Sequence, residues 1–178
     1  MFGLVNKEPS NDVKVPQLKQ VSPNDFPRAI YVAAASREID RAEAVMAQLR
    51  ANGMLVTSTW VDVIRKVGDA NLMTADRDQR AMWSAVDLHE VSQSSIFLYL
   101  LPPKGVYTDG APVEFGYILA MQAFVEQMRS QGAPIPSEAD RWIIVAGTER
   151  SIFTALADHY ETDDAAVKTI LKNVLNVE

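Results

Sequence analysis

The chain has 178 residues, 48% of them hydrophobic, enough for one domain to bury a sizeable core without staples. It contains no cysteine, which removes disulfides, thiolate nucleophiles and Cys-ligated metals and fits a reducing compartment. The net charge is −6 and no run of Lys or Arg forms a basic stripe, so nucleic acid is not an expected partner, although a small phosphorylated ligand needs only one or two local cations.

Residues 1–28 are polar and carry Pro9, Pro16, Pro23 and Pro27, a spacing that blocks regular structure. An irregular N-terminal arm is therefore expected ahead of a single domain over 29–178. The opening Met1-Phe2-Gly3-Leu4-Val5-Asn6 is too short an apolar run for a signal peptide. No window reaches the ~18 apolar residues of a membrane helix. The expectation is a soluble, cytoplasmic protein with no membrane partner.

Ala29 to Ala35 reads as a buried strand. Ser36 is placed to cap a following helix, with Glu38 and Asp40 in its first turn and Ile39, Ala42, Val45, Met46 and Leu49 on one face. Asn52-Gly53 stops it, and Met54 to Trp60 reads as a second strand. Asp62 to Met73 reads as a mixed loop. Thr74 can cap a helix to about Gln93 with Met82, Trp83, Val86 and Val91 inward, and Ser95 to Leu101 is a third strand. A polar loop then delivers Glu114 to the start of a helix that Ser130 to Pro136 breaks. Trp142 to Ala146 is a fourth strand, a short fifth lies near His159-Tyr160, and a last helix starts at Asp163 or Asp164. Alternating elements of these lengths predict an α/β fold: a doubly wound, flavodoxin-like (Rossmann-like) five-stranded parallel sheet with helices on both faces.

The turn after the first strand, Ala33-Ala34-Ala35-Ser36-Arg37, lacks the glycines of a dinucleotide fingerprint, and no Walker-type loop or Gly-x-Ser-x-Gly elbow occurs. His89 and His159 have no metal-ligand spacing and read as structural or surface residues; neither a metal nor a cofactor is expected. Carboxylates remain. Glu114 lies where an open α/β sheet binds ligands, at the carboxyl edge of its strands, but an acidic residue at a helix start is also favoured by the helix dipole. Asp87 alone fits a solvated helix position, Asp109-Gly110 ordinary turn chemistry, and Tyr31 a core tyrosine.

Taken together, these pieces resemble the nucleoside 2-deoxyribosyltransferase family. The matching segments are Ile30-Tyr31, Asp87-Leu88, Ser94 to Tyr99, and Asp109-Gly110-Ala111-Pro112-Val113-Glu114-Phe115-Gly116-Tyr117, with Ala120-Met121 behind. The resemblance covers roughly residues 29–147. It implies that Glu114 is the nucleophile, Asp87 the acid handling the departing base, and Tyr31 the residue that holds the nucleophile. It also implies a nucleoside or nucleotide substrate, a free nucleobase as acceptor, and a homo-oligomer whose neighbouring subunit completes the site, with Asn176-Val177-Glu178 as one segment able to do so.

One position differs. Thr108 stands where the family transferases carry a sugar-binding aspartate, with Asp109 one step nearer. In the related branch that hydrolyses deoxynucleoside 5′-monophosphates, a hydroxyl residue contacts phosphate there, and Thr108 with Ser36 and Arg37 could do the same. Arg37 reads equally as an exposed helix-start residue, and Trp60 as a base-stacking or a core residue. Three readings stay open: a transferase, a monophosphate hydrolase, and a non-catalytic nucleotide-binding module.

Overall fold

The structure, a computed structural model, describes residues 26–148 and 151–175. The expected arm therefore lies outside the described residues up to position 25, and so do Asn176-Val177-Glu178. Phe26–Arg28 forms a 3-10 turn, and the Arg141 guanidinium lies 4.8 Å from the centre of the Phe26 ring.

Five strands make one all-parallel sheet: β1 (Ala29–Ala33), β2 (Leu55–Val56), β3 (Ile96–Leu100), β4 (Trp142–Ala146) and β5 (Asp158–Tyr160). Their order is β2-β1-β3-β4-β5, the doubly wound flavodoxin-like arrangement. Every residue of β1 and β3 is buried, as continuous apolar runs in a sheet covered on both faces require. Helices α1 (Ile39–Ala51) and α6 (Asp163–Leu175) pack on one face, and α4 (Arg77–Ser92) and α5 (Gly110–Ser130) on the other. Between β4 and β5 the described residues of the crossover form a 3-10 turn, Ile152–Leu156, with Ile152, Phe153 and Leu156 exposed. Among the described residues no helix is long and apolar enough to cross a membrane.

Four local expectations are corrected. The second strand pairs only over Leu55–Val56, because side chains complete the rest of the ladder: Ser58 Oγ accepts from the Val32 N–H at 2.6 Å and the Trp60 indole donates to the Val32 carbonyl at 2.8 Å. The chain is then free to leave the sheet. The expected loop over Asp62 to Met73 is two short helices, α2 (Trp60–Val67) and α3 (Asp69–Thr74), broken at Gly68, whose φ of +84° suits glycine. Thr74 ends α3 and does not cap α4; Asp76 does, accepting from the Gln79 N–H at 2.8 Å. Ser36 opens a 3-10 turn, Ser36–Glu38, ahead of α1 and caps nothing.

Candidate active site

The order of the strands reverses between β1 and β3, so the loops leaving these neighbours diverge and open a crevice at the carboxyl edge of the sheet. A cavity of about 670 Å³ fills that crevice. Ser36 and Arg37 reach it from the loop after β1, and Thr108, Asp109 and Gly110 from the loop after β3. Asp87 comes from α4, Glu114 from α5 and Trp60 from α2. Residues that the sequence separates by up to 78 positions thus share one wall system. Neither histidine lines it; His159 Nε2 is bonded to the Gly147 carbonyl at 2.7 Å.

Tyr31 lies behind this wall. Alternation along β1 points it at the α5 face, in register with Phe97 of β3, and the two rings stack at 5.7 Å. Phe115 of α5 packs against Phe97 and Tyr99, which seats the first turns of α5 on the sheet. The Tyr31 hydroxyl then donates to Glu114 Oε1 at 2.8 Å. Both partners are buried, Tyr31 completely.

Glu114 is not at the helix start. α5 begins at Gly110, no acidic residue occupies its first turn, and the dipole therefore has little hold on this carboxylate. Burial dominates instead. It pushes the Glu114 carboxyl up to about 7, with the Tyr31 bond pulling down and the Glu90 charge pushing up. Asp87 is pushed further, to about 8, by burial and then by the charges of Glu114 and Glu90. The same burial and charges hold the Tyr31 phenol well above its ordinary range, so it stays a donor. Both carboxyls are thus held well above the ordinary carboxylate range, with Asp87 the higher, so Glu114 is the first of the pair to ionise.

Asp109 is the residue before α5, yet its side chain makes no cap bond and faces the cavity. Arg37 and Arg80 are exposed, line the cavity, and form no ion pair among the described residues. Trp60 is 8% exposed and bonded to β1, so its ring is a fixed wall and not a mobile platform. Arg80, Trp83 and Glu90 escape a reading from sequence. Trp83 fits an ordinary apolar stripe, and the two charged residues fall on a helix where exposed charges are usual. The i, i+3 spacing of Asp87 and Glu90 is the one available signal.

No family model matches the chain, and neither the curated proteins nor the solved structures provide a match.

Proposed function

We propose that the protein cleaves the N-glycosidic bond of a 2-deoxynucleoside through a glycosyl-Glu114 ester and transfers the sugar to a second nucleobase. The observation that carries this reading is the Tyr31–Glu114 hydrogen bond at the wall of a cavity that Asp87 also lines. One carboxylate is oriented by a neutral donor, and burial raises the second so that it holds its proton to higher pH.

The steps balance on these groups. Glu114 attacks C1′, the C1′–N bond breaks, and its electron pair leaves on the base as Asp87 gives that base its proton. An incoming base then loses an N–H proton to the Asp87 carboxylate and attacks C1′; the ester bond breaks and Glu114 is restored. Two displacements retain configuration. The cavity mouth at Asp109 and Thr108 takes the sugar hydroxyls. Arg37 and Arg80 favour a second reading, in which the substrate carries a 5′-phosphate and water resolves the ester.

The test is a product assay with deoxynucleosides and their 5′-monophosphates, with and without an acceptor base. Base exchange supports transfer, and base release from monophosphates alone supports hydrolysis. A 2-deoxy-2-fluoro-sugar adduct located on Glu114 by mass spectrometry is expected under both. Its absence, with no base released from any substrate, favours a non-catalytic binding module.

A further inference from the structure

A third carboxylate stands behind the cavity wall, outside the steps above. Glu90 lies one helical turn beyond Asp87 on α4 and is 9% exposed. Its Oε2 accepts from the Thr59 N–H at 2.9 Å and its Oε1 from the Thr59 hydroxyl at 2.6 Å. Thr59 immediately precedes α2 and sits between Ser58 and Trp60, the two residues that finish the β1 ladder. Three consecutive side chains are thus fastened, two to β1 and one to α4, and they fix the Trp60 wall.

A neutral glutamine could keep both contacts, its carbonyl accepting from the Thr59 N–H and its amide donating to the Thr59 hydroxyl, and a buried carboxylate costs far more to desolvate than an amide. The strap alone does not call for a charge. What a carboxylate changes is its surroundings: Asp87 stands one turn away on the same helix, and a negative charge on Glu90 raises the carboxyls of Asp87 and of Glu114 on α5 and the phenol of Tyr31 on β1.

We infer that Glu90 is a positioning residue for the Asp87–Glu114 pair, fastening the Trp60 wall through Thr59 and placing a third buried carboxylate one helical turn from Asp87. The inference rests on reading those two carboxylates as the reacting groups. With Glu90 ionised, loss of both protons from the pair would leave three negative charges together. A charge on Glu90 thus favours the singly protonated pair, the state that joins an acid for the base to a nucleophile for C1′.

The experiment is a carbon-13 NMR titration of the Asp87 and Glu114 carboxyls in the full chain, wild type against Glu90→Gln, Glu90→Asp and Thr59→Val. Glu90→Gln is expected to lower both midpoints by about half a pH unit or more. Glu90→Asp, which keeps the charge, restores them. Thr59→Val leaves the midpoints in place but speeds hydrogen exchange of the Trp60 indole N–H. Unmoved midpoints in folded Glu90→Gln overturn the inference. Where Glu90→Gln does not fold, unaltered indole exchange in Thr59→Val overturns it instead. Wild-type protein that never releases a base removes the enzymatic reading, while the titration still judges Glu90.

Discussion

Two carboxylate clusters serve the two faces of the same sheet, and they are built in opposite ways. On the α1 and α6 face, Arg41 grips Asp163 with two bonds of 2.7 Å, Glu38 with one of 2.6 Å and the Leu101 carbonyl with one of 2.9 Å. Each carboxylate there meets a cation, and the guanidinium ties the turn after β1 to the start of α6 and the end of β3. On the α4 and α5 face, Glu114 accepts one bond from a neutral phenol, and Asp87 makes no hydrogen bond among the described residues. The first cluster lowers the energy of the fold. The second stores electrostatic cost in a cavity, which is what the proposed chemistry requires of it.

The largest effect expected is on the second cluster. Glu114→Gln should lower base release by at least about 10³-fold, since removing a nucleophile disables both displacements. Wild-type activity should follow a bell between the apparent values of about 7 and about 8 that belong to the pair, falling in acid as Glu114 takes a proton and in base as Asp87 loses one. A pH–rate profile checks this.

Arg41→Ala should break the first cluster and cost roughly 1–2 kcal/mol in urea denaturation, less than a fully buried pair because its side chain is 28% exposed. Tyr31→Phe removes the bond that pulls the Glu114 carboxyl down, so its midpoint should rise and the acid limb move to higher pH. The loss of orientation should lower kcat by roughly tenfold.

Asp87→Asn tests the stored cost directly. A carboxyl raised from 3.8 to about 8 on folding binds more protons folded than unfolded, so stability falls as pH rises through that window. The variant should therefore gain roughly 1–2 kcal/mol over wild type at pH 8 and little at pH 4. Stability curves at the two pH values decide it. The smallest effect belongs to Arg65, which joins Asp40 and Glu43 on the open surface; Arg65→Ala should leave the melting temperature within error.

Much of this was legible in the residues alone. Buried parallel strands need unbroken apolar runs, so Ala29–Ala33, Ile96–Leu100 and Trp142–Ala146 announce themselves, and a strand–helix alternation then admits few topologies. Glu114, Asp87 and Tyr31 could be singled out because their types and order resemble a family pattern, and the fold brings them to one cavity wall. What the residues could not state is where the ladder yields to side chains. Ser58 and Trp60 look like strand residues, yet β2 stops at Val56 and only their side chains reach the N–H and carbonyl of Val32. Nor could they state which force governs Glu114. The sequence put it under a helix dipole, whereas the helix starts four residues earlier, at Gly110, and the carboxylate is buried beside Phe115, which packs on Phe97 and Tyr99. Local patterns report periodicity, which each segment carries by itself. Burial and charge belong to neighbours that the chain brings together only on folding, and they decide that the Asp87 carboxyl is raised, Arg41 is a tie and Glu90 is buried.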